Sequence, residues 1–276
     1  MTDSYQEERA VDRSIVDRLL MNDSLLKYAG EVATGAFTLA IAYLLYRIFL
    51  FANSDLLVTI IPRFVDAYLL VVQVVVVSSI LSVTLGILIG LGRISDTTLT
   101  HNVAKAYIEF FRGTPLLFQL FVIYFGIPAF WQSGTFPIPN WSIPAAIIGL
   151  TLNHAAYVGE AVRGGINAVP DGQMEAARSL GMGRTQAMRE IILPQAWRNA
   201  LAAIGNDQII LVKDTSLLTV IAVPEIMSVF RSVNSNTFDP WTPIILVAVA
   251  YLGVTLPMGK LVRTLEARAD WEGDRR

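Results

Sequence analysis

Long charge-free apolar runs separated by short polar stretches organise this chain. Residues 67–92 form one uninterrupted run, rich in Val, Leu and Ile and closed by Arg93. Residues 113–153 form a second, too long for one crossing, and Gly134, Pro137 and Pro139 break its middle. It therefore reads as two helices joined by a turn. A further run covers 240–259 and stops at Lys260. Residues 32–51 carry one charge, Arg47, close to an end where its stem can lie along apolar surface. Between Arg198 and Glu225 the pattern is less pure, with Asp207, Lys213 and Asp214 set among Ile, Leu and Val. A helix needs about 20 mostly apolar residues to cross the hydrocarbon core, so the pattern predicts an all-α integral membrane fold with six transmembrane helices.

Composition sharpens this picture. Of 276 residues, 54% are hydrophobic and only 16% charged, whereas a soluble domain carries about a quarter charged residues. The net charge of −2 excludes a generally basic nucleic-acid binder. There is no cysteine, and His101 and His154 are the only imidazoles, which excludes thiolate or histidine-rich metal sites. With residues 1–31 placed inside, 17 of the 21 basic residues fall on the inner side of the alternating crossings. The positive-inside rule then puts both termini in the cytoplasm and the chain in the cell membrane as a multi-pass protein. Trp131, Trp141 and Trp241 fall at the outer boundary, where amphipathic rings favour the interface. The first 31 residues lack the apolar core of a cleaved signal peptide. Around Ile15, Leu19, Leu20, Leu25 and Leu26 they read either as an amphipathic surface helix or as a partly ordered tail.

The inner segment at about 163–198 is unusually well patterned. Pro170 and Asp171 can open a helix, and Gly181 and Gly183 stop it after Glu175–Leu180. A second piece over 185–192 is expected to end at Pro194. Two short helices with a glycine break look like a docking element for another protein; the plainer alternative is a connector lying on the membrane.

Here the residues carry a resemblance. Glu175-Ala176-Ala177, three residues, Gly181, nine residues, then Ile191-x-Leu193-Pro194 match the EAA loop of binding-protein-dependent ABC importer permeases. The stretches FRGTPLLFQLFVIYFGIP (111–128), AAYVGEAVRGGI (155–166), GQMEAARSLGMG (172–183), ILPQAWRNAL (192–201) and NDQIILVKDTSLLTVIAVPEI (206–226) are similar to the polar amino acid uptake permeases, among them the histidine, glutamine and arginine permeases. The similarity runs through about 66–265. It implies a five-helix core over 61–265, to which 1–60 add a tail and an extra helix that many members lack, with a cytoplasmic tail over 266–276. It also implies that Glu175, Ala176, Ala177 and Gly181 meet a cytoplasmic ATPase subunit, present in two copies, with Arg178 and Arg184 at the rim. ATP and Mg would sit on that partner, with no cofactor on this chain. The remaining partners implied are a second permease copy or paralogue and an extracytoplasmic amino acid-binding protein. A permease for another small solute is the second reading.

Charges inside a membrane cost roughly 2.5–3.5 kcal/mol each on insertion scales, so they sit at interfaces, in pairs, or on a pathway. Glu160 follows Asn153 and Tyr157 at helical spacing; it reads either as a pathway group or as an i,i+3 ion pair with Arg163. Lys213 and Asp214 are adjacent and so point to different faces, followed by Thr215 and Ser216, whose hydroxyls can satisfy backbone groups at a kink. Glu160, Lys213, Asp214, Ser216, Asn153, Gln119 and Arg112 are the candidate pathway residues; the charged ones can offer both signs to a zwitterion, or they can fix helices. Arg112 opens the third crossing, with Gly113 and Pro115 marking a bent entry, and Gln119 further in is a candidate to line a polar path. His154 reads as a satisfied buried histidine, and Gly86 and Gly90 as a small-xxx-small packing pair. No Walker A loop and no catalytic constellation is present. A passive channel would need a filter or a ring of like charges, and gives no reason for the EAA loop.

Overall fold

The computed structural model describes residues 23–132 and 134–273; Ile15, Leu19, Leu20, Ser133, Arg275 and Arg276 lie outside these. The chain divides into two units, 1–54 and 55–276. The first holds α1 (Asp23–Phe51), in which Arg47 Nη1 donates to Tyr43 Oη at 2.7 Å.

In the second unit, α2 (Ser54–Arg93) is 40 residues long, about 60 Å at 1.5 Å per residue. It starts well before the apolar run at 67, and on this early part Arg63 Nη2 donates to Ser232 Oγ at 2.9 Å. Its buried positions, among them Phe64, Ala67, Val71, Val74, Ser78, Ser82, Gly86 and Gly90, recur every three or four residues and form one inward face. The amphipathic α3 (Thr98–Gly113), whose polar stripe leaves no apolar run in the sequence, buries Ala104 and Ile108. The helical path then bends by 103° into Leu116–Phe130, of which α4 is Leu116–Phe121. The bend expected at Gly113 and Pro115 is there, and its cause is local. Thr114 is held extended (φ −119°, ψ 145°), as sterics demand of a residue before proline.

The central helix is α5 (Ser142–Asn167), buried on most of its circumference. A Cβ on Gly86 would lie 2.5 Å from Val158 Cβ, and one on Gly90 2.7 Å from Val162 Cβ. The glycine pair thus lets α2 lie directly on α5. Gly165 does the same for α8 (Leu193–Asp214), where a Cβ would lie 2.5 Å from the carbonyl oxygen of Ala196. The segment before α8 comprises α6 (Asp171–Ser179), α7 (Arg184–Ala187) and a wide turn over Met188–Ile192. Pro194 does not end this segment. It sits in the first turn of α8, where its missing N–H is no loss. After α8, a tighter turn over Thr215–Ile221 leads to α9 (Ile226–Thr237) and α10 (Trp241–Gly273).

Among the described residues, three helices are long and apolar enough to cross a membrane, over 26–51, 54–93 and 241–267, or four with the bent pair. The α5 and α8 helices fall short of that measure for one reason. Each carries polar groups, such as Asn153 and Glu160 or Asp207 and Asp214, that lower its mean hydropathy and that are costly to face to lipid.

Candidate functional site

Two assemblies of polar groups stand out, one on the connecting segment and one within the bundle. In the first, α6 ends in a glycine-dependent cap: Gly181 has φ +83°, its N–H donates to Arg178 O at 3.0 Å, and the Met182 N–H donates to Ala177 O at 3.1 Å. This pair of bonds, with a left-handed residue between, is the Schellman arrangement. It presents Glu175, Ala176, Arg178 and Gly181 outward, whereas Ala177 turns in and is 4% exposed. Leu180, absent from the motif's defining positions, is 81% exposed at the apex. Arg184 pairs with Asp96 in the turn between α2 and α3, tying the segment to the membrane helices.

The second assembly lies between α3, α5 and α8. Arg163 grips Glu160 through two hydrogen bonds, Nη2 to Oε1 at 2.6 Å and Nε to Oε2 at 3.0 Å. Arg112 approaches the same carboxylate at 3.6 Å and lies over the Tyr157 ring, 5.5 Å from its centroid. Arg112, Tyr157 and Glu160 line a groove of about 290 Å³ together with Asn206, Asp207 and Ile210. Asn206, Ile210 and Lys213 are all exposed and follow one another by four and three residues, so Lys213 continues the same face of α8.

Gln119 and Asn153 are brought together away from that groove. The Gln119 side-chain amide donates to Phe111 O, Thr114 O and Thr114 Oγ1 at 2.9–3.1 Å, and Asn153 Nδ2 donates to Gln119 Oε1 at 3.0 Å. The carbonyls freed by the 103° bend are satisfied by these two side chains. Asp214 points away from Lys213, towards α5: His154, 1% exposed, has Nδ1 3.0 Å from Asp207 Oδ1 and Nε2 3.4 Å from Asp214 Oδ2. The pattern carries a signal for this triad, since Asp207 and Asp214 are seven residues apart and so share a helix face. Thr215 Oγ1 donates back to Val212 O at 2.7 Å where the helix tightens, and Ser216 is half-buried in that turn.

The described residues are an all-helical arrangement with a capped helix presented from one connecting segment and a groove that carries Arg112 and Glu160. Residues 82–271 match the family of binding-protein-dependent transport system inner membrane components, and the chain belongs to it. It is a permease subunit of an ABC importer in the cell membrane, and the family works with an ATPase and a binding protein. Among its relatives is the arginine transport system permease protein ArtQ of Bacillus subtilis, 36% identical over 78% of this chain and 97% of that one. The nopaline transport system permease protein NocM of Agrobacterium fabrum is 33% identical over 78% and 90%. A chain from the crystal structure of an amino acid ABC transporter with histidines has a TM-score of 0.71 and 35% identity, over 79% of this chain and 99% of that one. The MetNI methionine ABC transporter, at a TM-score of 0.59 and 19% identity over 75% of this chain and 98% of that one, shares the fold.

Proposed function

We propose that the chain takes up polar amino acids as one of two permease chains, a second copy or a close relative, assembled around a central path. Two cytoplasmic ATPase subunits carrying ATP and Mg dock on α6 and the turn after it. An extracytoplasmic binding protein delivers the amino acid on the other side. The reading includes six crossings with both termini cytoplasmic, α5 and the α8–α9 stretch completing the set. One observation carries the substrate class: the groove with Arg112, Glu160 and Asn206, with Lys213 on the same face of α8, brings exposed cations and a half-buried carboxylate together. A zwitterion needs a donor for its carboxylate and an acceptor for its ammonium, and intramembrane charge is too costly to keep without use. Relatives named for arginine and for glutamine transport support the same class. The permease supplies passage and coupling, and α6 must contact the ATPase differently in the inward and outward states, since equal contacts shift nothing.

Competition of labelled arginine uptake by unlabelled arginine, glutamine, histidine and glutamate in a deletion strain tests the substrate. Competition by a sugar alone would overturn it. Glu160→Gln and Lys213→Ala are expected to reduce uptake while the assembled complex persists. Unchanged uptake in both would leave these side chains a packing role.

A further inference from the structure

On the side of the bundle that carries α6 there is a slot to which transport assigns no role. The glycines of α2 and α5 draw α2 onto Val158 and Val162 and α8 onto Gly165, so both neighbours lie on α5 while α2 and α8 stay apart. The space between them is an apolar groove of about 240 Å³, lined by Ile87, Leu91, Val162, Leu193 and Trp197 among others. Through Leu91 and Leu193 it opens into a polar pocket of about 500 Å³ holding Ser95, Thr185, Arg184 and Arg189. Arg184 is matched by Asp96. Arg189 is exposed and has no ion-pair partner among the described residues, so the pocket keeps an excess positive charge.

We propose that this slot holds an anionic glycerophospholipid, one acyl chain in the groove and the phosphate at Arg189, beside the Ser95 and Thr185 hydroxyls. A soluble anion makes no use of the apolar half, and an uncharged apolar molecule makes none of Arg189. Only a ligand with both parts fills the slot. Trp197, 45% exposed in the second turn of α8, fits the headgroup boundary, where its ring is favoured. Basic pockets between helices at the cytoplasmic face collect anionic headgroups. That the lipid belongs to the cytoplasmic leaflet rests on the orientation proposed above; the lipid class does not.

Native mass spectrometry of the full-length complex tests this, by titration with phosphatidylglycerol or phosphatidylcholine of matched chains. One phosphatidylglycerol per permease chain is expected at concentrations where phosphatidylcholine is not retained. Arg189→Glu, a surface change, should weaken retention tenfold or more, and Leu91→Trp should block the joint between groove and pocket. Equal retention of the two lipids, or undiminished retention in Arg189→Glu, overturns the proposal. So does a disulfide joining Leu91→Cys of one permease chain to Trp197→Cys of another, which would make the slot an interface between copies. Uptake does not enter the readout, so this inference and the transport reading fail separately.

Discussion

Gly181 offers the sharpest test of how the connecting segment works. Its φ of +83° lies in the left-handed region, and a Cβ built there meets nothing within 4 Å. A side chain at this position is therefore opposed by backbone strain and not by a clash within the chain. For an ordinary L residue that strain is roughly 1–2 kcal/mol, which lowers the closed-to-open ratio of the cap by about five- to thirtyfold. Asparagine tolerates the left-handed conformation better than alanine does, although it is larger. The order of effects thus separates backbone from bulk. In a binding titration of the ATPase subunit against purified permease, Gly181→Asn is expected to bind better than Gly181→Ala. Alanine should lose up to about thirtyfold, and Gly181→Trp should lose co-purification altogether. Melting temperature in detergent should stay near that of the parent in all three. If alanine binds better than asparagine, affinity follows side-chain volume and the glycine serves only to leave space for the partner.

Three further outcomes are expected. Asp207→Ala leaves His154 buried without its 3.0 Å partner; breaking a buried pair costs about 3–5 kcal/mol, so thermal unfolding in detergent should come much earlier, and Asp207→Leu with His154→Leu should recover part of the loss. Gly86→Leu places its Cβ 2.8 Å from the Ala155 carbonyl oxygen and should abolish monodisperse protein in size exclusion, whereas Gly113→Ala, with open space around it, should behave as the parent. Asp239, ahead of α10, accepts from the Trp241 and Thr242 N–H groups and the Thr242 hydroxyl; partial burial works against ionisation, but these bonds hold its carboxyl below the usual range. A depressed folded value means that its stabilisation is complete above a pH of about 4 and is lost as pH falls through the folded value. The difference in unfolding temperature between parent and Asp239→Ala should therefore be present at pH 7 and shrink at acid pH.

Local features proved readable where a single stretch of chain contains both cause and effect. The apolar runs at 32–51, 67–92 and 240–259 became α1, α2 and α10, the 103° bend sits at Thr114 and Pro115, and Gly181 closes α6. The α3 helix leaves no apolar run because its stripe is amphipathic and not apolar throughout, and Pro194 marks a stop by pattern although the same ring suits a first turn. Gln119 and Asn153 suit a polar path by pattern; the sequence marks the bend but not that these two side chains reach its free carbonyls.

What the sequence by itself determined is that this chain lives in a membrane and where several of its helices break. Runs of apolar residues, prolines and a left-handed glycine act within a few residues of themselves. Only the tertiary structure decided the use of each polar residue. His154 meets Asp207 across 53 positions of chain, and Asn153 meets Gln119 across 34. Lys213, beside Asp214, was left on an open face. In an apolar medium a polar group must find a partner or line a cavity. Which of the two it does depends on how each helix is rotated against its neighbour, and that is set by the close approaches at Gly86, Gly90 and Gly165.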